Sequence, residues 1–154
     1  MGDIASGAEV RNGQVWFQVP PERVADAARI VKDDPDIDCG YFNFLSAIDW
    51  QDDGFEVVTL VYSLTYAMTV AFTARLPKEN PSLPTLTSVY MGADWHEREC
   101  AEMFGITFEG HPNPQNLYLA DDFEGHPLRK DFKLASRTYK PWPGAKDPDE
   151  AGGR

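Results

Sequence analysis

The apolar positions of this chain change period several times, and each change marks an element. Val15 to Val19 is a short β-branched and aromatic run that reads as a strand. Pro20-Pro21 then leads into a helix from Glu22 to Lys32, whose Val24, Ala27, Ala28 and Val31 recur at spacings of three and four and form its buried stripe. Asp33 to Gly40 is a polar turn, and Tyr41 to Trp50 is apolar and strand-like. Asp52-Asp53-Gly54 carries the strongest hairpin-turn signal in the chain, and strands from Phe55 to Leu64 and Met68 to Leu76 follow it. Residues 57–74 carry no charge, which is long enough to raise the question of a membrane-spanning helix. Thr59, Ser63, Thr65, Thr69 and Thr73 recur there at even spacings among β-branched and aromatic residues, so the stretch reads as two strands and any membrane contact has to come through partners. The start to Asn12 reads as loose, Pro77 to Pro84 as a loop, and Thr85 to Tyr90 as a short helix.

Another helix is expected over Trp95 to Phe104. Asp94 suits its N-cap, Glu97 stands three residues on as in a capping box, and Gly105 is placed to end it. His96, Cys100, Met103 and Phe104 share one stripe, while Arg98, Glu99 and Glu102 point elsewhere, with Arg98 spaced to pair with Glu102. Beyond it the path is mostly irregular with short strand fragments, and the pentapeptide Phe-Glu-Gly-His-Pro occurs twice, at Phe108 to Pro112 and Phe123 to Pro127. In each copy Gly permits a bend and Pro holds the preceding His extended. The order of elements predicts an α+β fold, a mixed or antiparallel sheet packed with helices, in a single domain over residues 1–134. Residues 135–154 form a Pro- and Gly-rich tail that buries too little to order itself, with Tyr139 and Trp142 placed as anchors for a partner.

A chain of 154 residues with 42% hydrophobic residues can build a real core. Its 25 acidic and 14 basic residues give a net charge of −11, which repels phosphate backbones and anionic membranes and favours basic protein faces. Two cysteines, Cys39 and Cys100, make no disulfide framework, and a reducing cytosolic setting fits best. Met1 to Ser6 fits the minimal myristoylation pattern, but no polybasic second anchor follows.

Candidate chemistry is sparse. Two cysteines without cluster spacing do not hold an iron–sulfur centre, and neither a G-x-G-x-x-G fingerprint nor a P-loop is present. His96 and Cys100, one helical turn apart, could join His111 and His126 around a metal in a stand-alone hydrolase, although Cys100 also fits the apolar stripe. Glu97, Glu99 and Glu102 can be read as an acid–base cluster or as a solvated helix face with local ion pairs.

Glu97-Arg98-Glu99, followed by Glu102-Met103-Phe104, His111 and the block Glu124 to Asp131, resembles the C subunit of proton-pumping NADH:quinone oxidoreductase, respiratory complex I. The resemblance departs at Gln115, where a basic residue is usual. It implies a cofactor-free, non-catalytic subunit at the cytoplasmic face of the cell membrane, braced against the D subunit of complex I and neighbouring iron–sulfur subunits. NAD, FMN, iron–sulfur clusters and quinone would then belong to the partners. The interface residues it implies are Glu97, Arg98, Glu99, Glu102, His111, His126, Arg129, Lys130 and Asp131, with Tyr139 and Trp142 in the tail. On that reading Arg98→Ala would weaken assembly and leave the isolated fold nearly as stable. The matching subunit of a membrane-bound energy-converting hydrogenase or ferredoxin-linked complex is the other member of the same pattern, and a soluble adaptor outside respiration is a third reading.

Overall fold

The computed structural model describes residues 4–133. Five strands, β1 (Ser6–Arg11), β2 (Gln14–Gln18), β3 (Tyr41–Asp49), β4 (Phe55–Ser63) and β5 (Met68–Leu76), form one sheet in the order β1-β2-β5-β4-β3. Only β2 and β5 pair in parallel, and the other three pairs are antiparallel, so the sheet is mixed as expected. The crossover that a parallel pair requires runs through α1 (Val24–Asp33) and the β3–β4 hairpin. A second, two-stranded sheet pairs β6 (Ser82–Pro84) with β7 (Thr107–Glu109) in parallel, and α2 (Ala93–Phe104) lies between them in sequence.

Side-chain alternation decides which face of the large sheet is covered. Phe55, Val57, Thr59 and Val61 of β4 stand in register with Leu76, Ala74, Phe72 and Val70 of β5, and all eight are buried. Against this face α1 lays Val24, Ala27, Ala28 and Val31, the stripe that its spacing predicts. Each large apolar side chain of this core contributes on the order of 1.5–3 kcal/mol by leaving water. The uncharged stretch is therefore the centre of the core, and among the described residues no helix is long and apolar enough to cross a membrane.

Several boundaries differ from expectation. The start is not loose: Asn12 and Gly13 both take positive φ, 51° and 77°, and close a two-residue hairpin that folds β1 onto β2. Asn-Gly is as strong a short hairpin signal as the Asp-Gly at Asp53-Gly54, which therefore does not stand first alone, and it is plain in the sequence. The loop Pro77 to Pro84 contains β6, and the helix expected over Thr85 to Tyr90 is only a turn in which Val89 and Tyr90 donate to the Leu86 carbonyl. The Thr85 and Leu86 N–H groups ahead of this turn are taken by the Glu109 carbonyl and the Glu97 carboxylate. The first helix is split, with a 3-10 turn at Pro21–Arg23 ahead of α1. The tail from 135, with Tyr139 and Trp142, lies outside the described residues.

Candidate functional site

The charged residues of α2 do not form a solvated face. Its N-cap is Gly92, which has no side chain to offer, and Asp94 stands inside the first turn rather than before it. Glu97 consequently caps nothing. It is fully buried, accepting from Thr85 Oγ1 at 2.5 Å and from the Leu86 N–H at 2.6 Å. Burial pushes its carboxyl up, against the two hydrogen bonds and the His111 ring, whose Nε2 lies 3.8 Å away.

Arg98 does not pair with Glu102. Its Nε donates to the Gln115 carbonyl at 2.7 Å and its Nη2 to the Asn116 carbonyl at 3.1 Å, with Asp94 3.8 Å away. Glu102 is buried and accepts the N–H groups of Leu117, at 3.0 Å, Tyr118, at 3.0 Å, and Leu119, at 3.3 Å. The expected i,i+4 pair gives way because both groups reach backbone of residues 115–119, which has no ladder of its own and whose polar groups need partners. Glu99 is half-buried and makes no hydrogen bond or ion pair among the described residues.

The two Phe-Glu-Gly-His-Pro copies bracket this helix. In the first, Phe108 is buried, and His111 Nε2 lies 3.2 Å from the Asp94 carbonyl while Nδ1 accepts the Asn113 N–H at 3.1 Å. In the second, His126 Nδ1 donates to the Glu102 carbonyl at 2.8 Å, the Leu128 N–H to Met103 and Arg129 Nε to Phe104. An α-helix leaves its last carbonyls without partners, so His126 to Arg129 is a cap supplied in tertiary structure, and the Arg129 charge suits the negative end of the helix. Lys130 is tied in turn, its N–H donating to buried Asp49 at 2.7 Å. Lys130 and Asp131 are exposed beside Asp49, Asp52 and Lys78.

Metal-ligand candidates are dispersed by this arrangement. The Nδ1 of His96 faces the Leu45 backbone and its ring packs edge-on to Phe42 and Phe44, while Cys100 is buried with its thiol pushed up to about 12 by burial and by Glu99. Cys39 is likewise buried, its thiol pushed up to about 11. Among the described residues no three His, Cys, Asp or Glu side chains gather where an ion could sit.

What the geometry makes is a fixed irregular surface: residues 110–133 held to α2 and β3 through side-chain contacts to backbone. Residues 17–138 match the family described as respiratory-chain NADH dehydrogenase, 30 Kd subunit. The chain belongs to this family. It is similar to the C subunit of the NADH-quinone oxidoreductase of Roseiflexus sp. (strain RS-1), 39% identical over 86% of this chain and 77% of that protein. Among solved structures it resembles a trypsin-resistant fragment of Nqo5, with a TM-score of 0.62, 27% identity, and coverage of 70% of this chain and 88% of that one. It also resembles a chain of the membrane-bound sulfane sulfur reductase, an archaeal respiratory membrane complex, with a TM-score of 0.71, 27% identity, and coverage of 86% and 79%. The run Glu97-Arg98-Glu99 is thus one residue sealed in the core, one holding a loop and one half-exposed with its charge unpaired among the described residues. Sequence reasoning missed Thr85 and Asp49, whose only signals are a hydroxyl and a carboxyl at strand ends.

Proposed function

We propose that this chain is a cofactor-free brace in the peripheral arm of a proton-pumping NADH:quinone oxidoreductase, carrying no redox centre and no active site. It supports the subunits that house the iron–sulfur clusters and the quinone site, the D subunit foremost, and sits at the cytoplasmic face of the membrane through those partners. NAD, FMN, iron–sulfur clusters and quinone belong to the neighbouring chains. The observation that carries this reading is the clamped surface itself. Glu97, Arg98, Glu102, His126, Arg129 and Asp49 spend their polarity on backbone of residues 86–130, which favours a scaffold over a site built to bind and release a substrate. Glu99, Lys130 and Asp131 keep charge accessible at its rim for partner contacts.

The equivalent subunit of a ferredoxin-linked or hydrogenase complex is a second reading, because the chain resembles the sulfane sulfur reductase chain with a TM-score of 0.71, against 0.62 for the Nqo5 fragment. Purification of the C-terminally tagged chain from gently solubilised native membranes, with identification of the co-purifying subunits and an NADH:quinone assay, decides between them. Complex I subunits with that activity support the first reading, hydrogenase or ferredoxin-linked subunits support the second, and a lone chain overturns both.

A further inference from the structure

Two large apolar side chains next to the clamp are left almost fully in water. Met91 is 90% exposed and Trp95 is 69% exposed, and they stand as a ridge along one shallow concavity at the start of α2 that Pro112 and His96 also line. Large apolar groups clustered in this way on a water-facing surface mark a contact surface, and Trp is among the residues that most often dominate one. One helical turn further along the same side stands Glu99. Asp94, Glu97, Arg98 and Glu102 are each engaged within the chain, so Glu99 is the charge of α2 without a hydrogen bond or ion pair among the described residues.

We infer that the ridge of Met91 and Trp95, ending on Glu99, docks a segment of a neighbouring subunit that carries a bulky apolar side chain beside a lysine or arginine. Charge selects this occupant. A second copy of the chain would bring a net charge of −11 against the acidic residues Asp94 and Glu99, and an anionic lipid surface is repelled in the same way. The ridge is also preorganised: α2 is pinned near its start by His111 and at its end by His126 and Arg129, so little order has to be gained on docking.

The inference rests on the proposed function, and the test separates the two. The full chain is produced with a C-terminal tag in its native membrane setting as wild type, as Trp95→Ala, as Glu99→Lys, and with the photoreactive residue p-benzoylphenylalanine at position 95. Trp95→Ala is expected to lower the yield of co-purifying subunits by about tenfold or more, as for an interface hot spot, and Glu99→Lys by several-fold. The melting temperature of the isolated Glu99→Lys chain should match wild type, which distinguishes lost docking from lost folding. Irradiation should join position 95 to one neighbouring subunit, at a segment with Lys or Arg within two residues of a bulky apolar one. Wild-type yields in both variants overturn the docking surface while leaving the proposed function standing. A cross-link to a second copy overturns it as well, and a wild-type chain that brings no respiratory subunit overturns both.

Discussion

Both carboxylate oxygens of Glu102 accept the Tyr118 N–H, at 3.0 and 3.3 Å, although the two residues are sixteen positions apart and Tyr118 belongs to no helix or strand. With Leu117 and Leu119 on the same carboxylate, one helical side chain replaces a missing ladder for three consecutive amides. Hydrogen bonds to charged groups contribute roughly 1.5–3 kcal/mol each. Glu102→Ala should therefore lower the unfolding free energy of the isolated chain by about 3 kcal/mol, allowing for one carboxylate shared among three donors. Urea titration gives the number, and a loss under about 0.5 kcal/mol would remove Glu102 from its assigned role.

Arg98 bonds two carbonyls of its own chain. Because its guanidinium holds the Gln115 and Asn116 carbonyls and is only 12% exposed, Arg98→Ala should loosen residues 113–119 even without a partner, at a cost of roughly 1–3 kcal/mol. Arg98→Lys should not restore it, since an ammonium does not reproduce the planar fork. Faster amide exchange confined to that loop is the expected readout, and unchanged exchange in Arg98→Ala would return Arg98 to a purely interfacial role.

Burial raises the Glu97 carboxyl above its ordinary value of 4.5, so the folded state holds this proton more tightly than the unfolded chain does. The associated stability is complete below that ordinary value and is lost as pH rises through the folded one. Glu97→Gln keeps the shape without the charge. Its stability relative to wild type should improve as pH rises from about 4 towards neutrality. Urea midpoints of both proteins across that range test the sign, and a relative stability that falls with pH refutes it.

Gly105 ends α2 at φ 71°, and a Cβ there would stand 2.5 Å from His126 Nε2 and 2.6 Å from Arg129 Nη2. Gly105→Ala should cost more than the roughly 1–3 kcal/mol of a left-handed non-glycine residue, because it also dislodges the cap. Gly110 has a similar φ of 80°, but a Cβ there meets nothing nearer than Thr85 Cγ2 at 3.6 Å, so Gly110→Ala should cost the backbone strain alone. Equal melting temperatures for the two variants would show that no cap is dislodged.

The twin His-Pro turns use their rings in opposite ways. An N–H of Asn113 can only donate, so neutral His111 carries its proton on Nε2; a carbonyl can only accept, so neutral His126 carries its proton on Nδ1. Imidazole nitrogen correlations in labelled protein should show one ring of each tautomer. Two rings of the same tautomer contradict the bracket around α2.

Period and turn chemistry are enough for the sheet strands from Val15 to Leu76 and for the stripe of α1, because a residue's face follows from its place in a local repeat. Asn12-Gly13 is an equally legible turn, but β1 is exposed along its whole length and shows no apolar alternation to mark it as a strand. Spacing also locates α2 to within two residues and places Gly105 at its end. The run Glu97-Arg98-Glu99 and the block Glu124 to Asp131 are readable as a string of residue types.

What each charge in that string does is decided in three dimensions. A carboxylate has the same helical address whether it caps, pairs on the surface or is buried under a distant amide. Glu97, Arg98 and Glu102 point to caps and near neighbours when read in sequence, because local partners are the ones a sequence displays. Their actual partners, Leu86, Gln115 and residues 117–119, lie eleven to seventeen positions away. Unladdered backbone brought against a helix needs acceptors and donors wherever the chain happens to pass, and only the packed fold determines which side chains are within reach.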